Sequence, residues 1–161
     1  MGIITFASYF AFQKYFNSDT KKLSDKEILS IYSGNYKQIF GLGSATLALN
    51  SDLTFVFVIH TDLLFNITFN GKAIITNGQI QLITSDKAAK NFVPQNLIPI
   101  RRGHYKYLIN VDEIRQFCES IKEGNEPFPS GLSPYLHQDW GNLHPSVTTS
   151  PILPDGKLLC S

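Results

Sequence analysis

The chain has 161 residues, 43% of them hydrophobic and 17% charged. That is one domain with enough apolar material for a core, and it excludes bulk disorder. Fourteen basic against thirteen acidic side chains leave a net charge of +1, too weak a field to gather nucleic acid. Two cysteines, Cys118 and Cys160, exclude a disulfide-built scaffold or a Cys-rich zinc site.

Residues 1–20 form an apolar N-terminal segment. Gly2 to Gln13 carry no charge and include Ile3, Ile4, Phe6, Tyr9, Phe10 and Phe12; the first charge is Lys14. A spanning helix needs about 20 apolar residues, so the stretch is short for one. It also has no basic n-region or small-residue cleavage site. Two readings stand: a signal-anchor remnant giving membrane contact through residues 1–16, or a first element packed on the core.

Residues 21–124 read as a β-meander domain with capping helices. Ser24 and Glu27 have capping-box spacing, with Leu23 and Ile28 as a hydrophobic staple. They predict a helix over 25–33, stopped at Gly34. The hydrophobic period then changes to two. Strands are predicted at Asn35–Phe40, Ser44–Leu49, Leu53–His60, Leu63–Thr76, Gln79–Thr84, Leu97–Arg101 and His104–Ile109.

The turns set an expected register. Asn77-Gly78 pairs Ile75 with Ile80 and Ala73 with Leu82. Asn70-Gly71 fails the same test, because a strand running through Gly71 alternates far better; Gly71 is read as a bend in one long strand. The 60–62 turn pairs Phe57 with Phe65 and Phe55 with Ile67. The 50–52 turn pairs Leu49 with Leu53. Arg102-Gly103 pairs Ile100 with Tyr105. All hairpins then share one apolar face, predicting a mainly β, antiparallel meander of about seven strands curled into a small barrel or half-barrel. Val56, Val58, Leu64 and Ile74 fall on the other face and call for a cover, such as a helix, the N-terminal segment or a protein partner.

Asn110 and Glu113 form a second capping box. Ile114, Phe117, Cys118 and Ile121 follow as one helical stripe ending at Gly124. Six of the eight prolines lie beyond Asn125, so residues 125–161 read as an irregular, extended tail packed on the domain.

Four groups of residues carry candidate chemistry. The inward aromatics Phe55, Phe57, Phe65, Phe69, Tyr105 and Tyr107 would line a pocket for an apolar small molecule, or fill the core. Arg101, Arg102 and His104 make a basic cluster suited to an anion, or a solvated hairpin tip. His137, Asp139 and His144 offer metal-ligand types without a recognised spacing. His60 and Asp62 share a turn, as an acid–base pair or as turn hydrogen bonds. Cys118 reads as a buried small hydrophobe, and its pairing with Cys160 requires an oxidising compartment. Asn66-Ile67-Thr68 matches a glycosylation sequon in mid-strand and is taken as chance. No Walker loop, Gly-x-Gly-x-x-Gly, Cys-x-x-Cys or Gly-x-Ser-x-Gly is present, and no cofactor is expected.

Gly34-Asn-Tyr36, the run Ala45–Phe55, Gly71 and Asn77-Gly-Gln-Ile-Gln-Leu82 resemble the lipocalin-like meanders of small bacterial envelope proteins. Ile98-Pro-Ile-Arg-Arg-Gly103-His-Tyr-Lys-Tyr107, with Phe117 and Gly124-Asn-Glu-Pro127, looks like a group of uncharacterised bacterial proteins with the same order of parts. Where many lipocalin-like strands carry Gly-x-Trp, this chain has Gly71-Lys72-Ala73. The resemblance implies a fold and an envelope or periplasmic location, and transfers no catalytic residue.

The expected function is therefore a non-catalytic, lipocalin-like binding domain. A membrane-tethered structural or interaction module is the first alternative. An enzyme or metal protein using the His137 cluster is the second.

Overall fold

Ser24 begins the first helix as its spacing predicts. In the computed structural model, which describes residues 23–40, 43–61, 65–103, 105–124, 134–137 and 150–160, the Glu27 amide donates to Ser24 Oγ at 3.3 Å and the Ser24 amide donates to Glu27 Oε2 at 2.8 Å. This reciprocal pair satisfies two orphan donors. Helix α1 (Asp25–Tyr32) buries Ile28 and Tyr32.

Seven strands follow: β1 (Gly34–Phe40), β2 (Gly43–Leu49), β3 (Thr54–His60), β4 (Asn66–Thr76), β5 (Gln79–Ile83), β6 (Asn96–Arg102) and β7 (Tyr105–Asn110). Each pairs antiparallel with the next. An eighth, β8 (Pro134–His137), pairs with both β1 and β7 and closes the barrel. It lies in the segment expected to be an irregular tail, so the closing strand comes from the Pro-containing region. The membrane question posed by residues 1–20 lies outside the described residues; among those described, no helix is long and apolar enough to cross a membrane.

Two expectations for β4 hold. It runs unbroken through Gly71, and the Asn77-Gly78 turn pairs Ile75 with Ile80 and Ala73 with Leu82. Asn77 and Gly78 both have positive φ, as a two-residue hairpin of this type requires.

Three other hairpins differ from the expected register. Leu49 pairs with Phe55 rather than Leu53. Leu53 instead sits in the turn at φ 64°, and Asp52 Oδ1 accepts from the Thr54 amide and hydroxyl at 3.0 and 2.6 Å. Those bonds hold the Asp52 carboxyl below its ordinary range. Ile100 pairs with Tyr107 rather than Tyr105, because Arg102 and Tyr105 face each other across the turn. Phe57 pairs with Phe69 rather than Phe65, and Phe55 with Gly71. All three shifts are even, so they leave every side chain on its own face, and alternation could not detect them. The last has a local cause. A Cβ at Gly71 would lie 2.5 Å from the Phe55 ring, so only glycine admits that ring opposite it.

The barrel interior is filled by its own side chains. Tyr36, Leu47, Leu49, Phe55, Phe57, Phe69, Leu82 and Leu97 are among its buried residues. Burying one such aromatic ring contributes about 1.5–3 kcal/mol. Helix α1 covers the end where β1 begins. Tyr36 donates its hydroxyl to the Tyr32 carbonyl at 2.6 Å, and Lys106 Nζ donates to the Ile31 carbonyl at 2.8 Å. Burial pushes the Tyr32 phenol up to about 12 and raises the Tyr36 phenol further. At the opposite end, a 3-10 turn (Ala88–Asn91) between β5 and β6 seats Ala89 and Val93 in the core.

A second core lies outside the barrel. Leu97 pairs with the interior residue Ile80, which puts Leu97 and Leu108 inside and turns Ile98, Ile100, Tyr107 and Ile109 outward. There helix α2 (Ile114–Lys122) covers them with Phe117, joined by Leu153 and Leu159 of the C-terminal segment. Tyr107 meets Phe117 edge-on at 6.0 Å between centroids. Cys118 and Cys160 form a disulfide, with Cα atoms 5.2 Å apart.

The C-terminal segment also repairs a seam. Only Leu97 and Asn96 of β6 pair with β5. Further along, Arg101 exchanges both backbone hydrogen bonds with Ile152, at 2.9 and 2.8 Å. Pro99 has the same parity as Arg101, so its missing N–H faces the gap between these two pairings, where no donor is needed.

Candidate functional site

The six predicted pocket aromatics do not share a pocket. Phe55, Phe57 and Phe69 are buried in the barrel. Phe65, expected opposite Phe57, lies beyond the barrel end and is 71% exposed. Tyr105 and Tyr107 belong to the outer core under α2. The cause is the β5–β6 connection. A tight turn transmits side-chain phase from one strand to the next, but a twelve-residue connection, 84–95, does not. Both phases of β6 are apolar, so the sequence permitted either one inward.

The basic cluster is divided as well. Neighbours on a strand point to opposite faces. Arg101 is exposed on the face that carries Lys106, where its charge acts on Tyr32. Arg102 is 6% exposed on the outer-core face. His104 lies outside the described residues. In the metal candidate, the backbone of His137 belongs to β8, while its side chain, Asp139 and His144 lie outside the described residues. Among those described, no group of three or more His, Cys, Asp or Glu side chains is placed to hold a metal.

His60 is committed to the sheet. Its Nδ1 lies 3.0 Å from Asn66 Oδ1 and its Nε2 3.3 Å from Thr46 Oγ1. An amide oxygen only accepts, so Nδ1–H is the donor of the Asn66 pair. Asp62 lies outside the described residues. On the outer face, Val56 and Val58 are half-buried and Ile74 is exposed; Leu64 is also outside the described residues.

The sequence reading missed a cleft at the barrel end opposite α1. Its volume is about 420 Å³, within the usual range for small-molecule sites, about 300–1,000 Å³. Three described parts of the chain build it. Gln38 comes from β1, and Asn110, Asp112 and Glu113 come from the end of β7 and the 3-10 turn after it. Residues 90–96 of the β5–β6 connection complete the wall. Among the described residues, five carry primary amides at the lining: Gln38, Asn91, Gln95, Asn96 and Asn110. The backbone that presents them is fixed. The Leu82 amide donates to the Gln95 carbonyl at 3.0 Å, and the Phe92 and Val93 amides donate to the Ala89 carbonyl at 3.0 and 2.7 Å.

Phe92 borders the same cleft. Its ring stacks on Phe69 at 5.9 Å and 15° between planes, yet it remains 51% exposed. The interior aromatic thus supports a second ring at the rim. The signal was present in the sequence as Asn91-Phe92-Val93-Pro94-Gln95-Asn96, a polar run broken by one aromatic. It reads as an ordinary connection until the fold sets it beside Gln38 and Asn110. Comparison with family models, with curated proteins and with solved structures finds no match to the chain.

Proposed function

We propose that this protein is a non-catalytic binding barrel that takes a small polar ligand at its rim. The observation that carries this reading is the 420 Å³ cleft, to which β1, the β5–β6 connection and the end of β7 all contribute amide side chains. The filled interior argues for the rim over an internal lipocalin-type pocket, because Phe55, Phe57 and Phe69 already occupy that space. The Cys118–Cys160 disulfide supports work in an oxidising compartment, in keeping with an envelope location.

The test is a series of amide NMR spectra of the full-length, disulfide-intact protein with small neutral, anionic and cationic probes added singly. Shifts confined to residues 90–96 and 110–113 are expected for at least one probe class. Shifts centred on the residues flanking Phe55 and Phe57 would return the site to the interior, and an unresponsive rim would overturn the proposal.

A further inference from the structure

Resting on the rim-cleft reading, we infer that its ligand is a neutral saccharide, stacked on Phe92 and held by the surrounding amides. The lining chemistry selects for this class. Each primary amide offers one carbonyl acceptor and two N–H donors. Gln38, Asn91, Gln95 and Asn96 bring both kinds of group to one concavity, and Asn110, whose Oδ1 accepts from the Asp112 amide at 3.4 Å, adds N–H donors. A hydroxyl also donates and accepts, so a polyhydroxylated ring can satisfy both at many points. A ligand that mainly accepts, such as phosphate, would leave most of the amide carbonyls unmatched.

Charge points the same way. Among the described residues, two carboxylates, Asp112 and Glu113, line the cleft against one ammonium, Lys90. A net negative lining disfavours anions, and carboxylates accept strong hydrogen bonds from hydroxyl donors. The apolar element is equally specific. One face of the Phe92 ring is taken by Phe69, and half of its surface stays open beside the amides. A pyranose has a C–H face to lay on such a ring and a hydroxyl rim to reach the amides.

Isothermal titration of the full-length, disulfide-intact protein with maltotriose, cellotriose and tri-N-acetylchitotriose tests the inference, alongside uridine and inorganic phosphate. Binding by at least one trisaccharide is expected, with side-chain amide shifts at Asn91, Gln95 and Asn96. Phe92→Ala and Gln95→Ala, both altering exposed side chains, should each weaken that binding at least tenfold while leaving the far-ultraviolet spectrum unchanged. Rim binding of uridine or phosphate without any trisaccharide would keep the cleft as a binding site and overturn the saccharide. Trisaccharide binding that both variants retain at full strength would overturn the proposed placement. No response at the rim to any of the five probes would overturn both this inference and the reading beneath it.

Discussion

Breaking the Cys118–Cys160 disulfide should cost more stability than any single surface contact in the molecule. The bridge closes a loop of 42 residues in sequence separation. In the chain-entropy model the unfolded state loses about 13 cal/mol/K on closing such a loop, or about 4 kcal/mol at 25 °C. The folded state has little to lose when the bond is cut, because Leu153 and Leu159 still pack on the outer core and Ile152 still bonds to Arg101. The effect therefore acts mainly on the unfolded chain. At about 2–4 °C per kcal/mol for a domain of this size, the Tm of a Cys118→Ala/Cys160→Ala variant should fall by about 8–16 °C. Guanidinium unfolding of oxidised protein, reduced protein and the double variant gives the three free energies. Reduced and double-variant protein should agree with each other and fall below the oxidised form. A loss under about 1 kcal/mol would refute the reasoning, since the loop would then not be constraining the unfolded ensemble. So would a free-thiol assay that finds both cysteines titratable in the folded protein.

Gly71→Ala should destabilise by about 1–3 kcal/mol in chemical denaturation, because the new methyl meets the Phe55 ring and the Ile83 carbonyl. Phe57→Ala should cost about 3–5 kcal/mol by the same measurement, whereas Phe65→Ala should stay within about 0.5 kcal/mol; equal losses would restore the register that pairs the two rings. Tyr36→Phe removes the bond to the Tyr32 carbonyl and should lower stability by about 1 kcal/mol. The raised Tyr32 and Tyr36 pKa values fix the sign of an alkaline transition: folding favours the protonated phenols, so their contribution is intact below pH 10 and is lost as the pH climbs from there, through about 12 for Tyr32 and still higher for Tyr36. Thermal melts from pH 8 to 12 should show a plateau and then a fall, and a stability rising over that range would contradict the burial of the two phenols.

Local chemistry that acts over a few residues was legible in the sequence. Ser24 and Glu27 announced α1, and Asn77-Gly78 fixed both the turn and the pairing of β4 with β5. Alternation correctly carried β4 through Gly71. The slips at Phe57–Phe69, Leu49–Phe55 and Ile100–Tyr107 arose where the turn chemistry was ambiguous and an even shift cost nothing in patterning. The inversion of Tyr105 and Tyr107 has a different origin. Phase information was lost across residues 84–95, and both faces of β6 are apolar because a second core waits outside. The rim cleft was invisible for a related reason. Gln38, Asn96 and Asn110 are far apart in sequence, and only barrel closure makes them neighbours.

The position of β8 has a consequence for synthesis. Its Tyr135 and Leu136 bond to β7, while Leu136 and His137 bond to β1. Until residues 134–137 have left the ribosome, a nascent meander therefore presents two free strand edges, β1 at one side and β7 at the other. Edges of that kind template pairing with other chains. At about 5–20 residues per second, the interval between the emergence of β7 and of β8 lasts one to several seconds. The newborn chain is most vulnerable to edge-to-edge aggregation in that interval, and a chaperone that binds unpaired strands would have its greatest effect there.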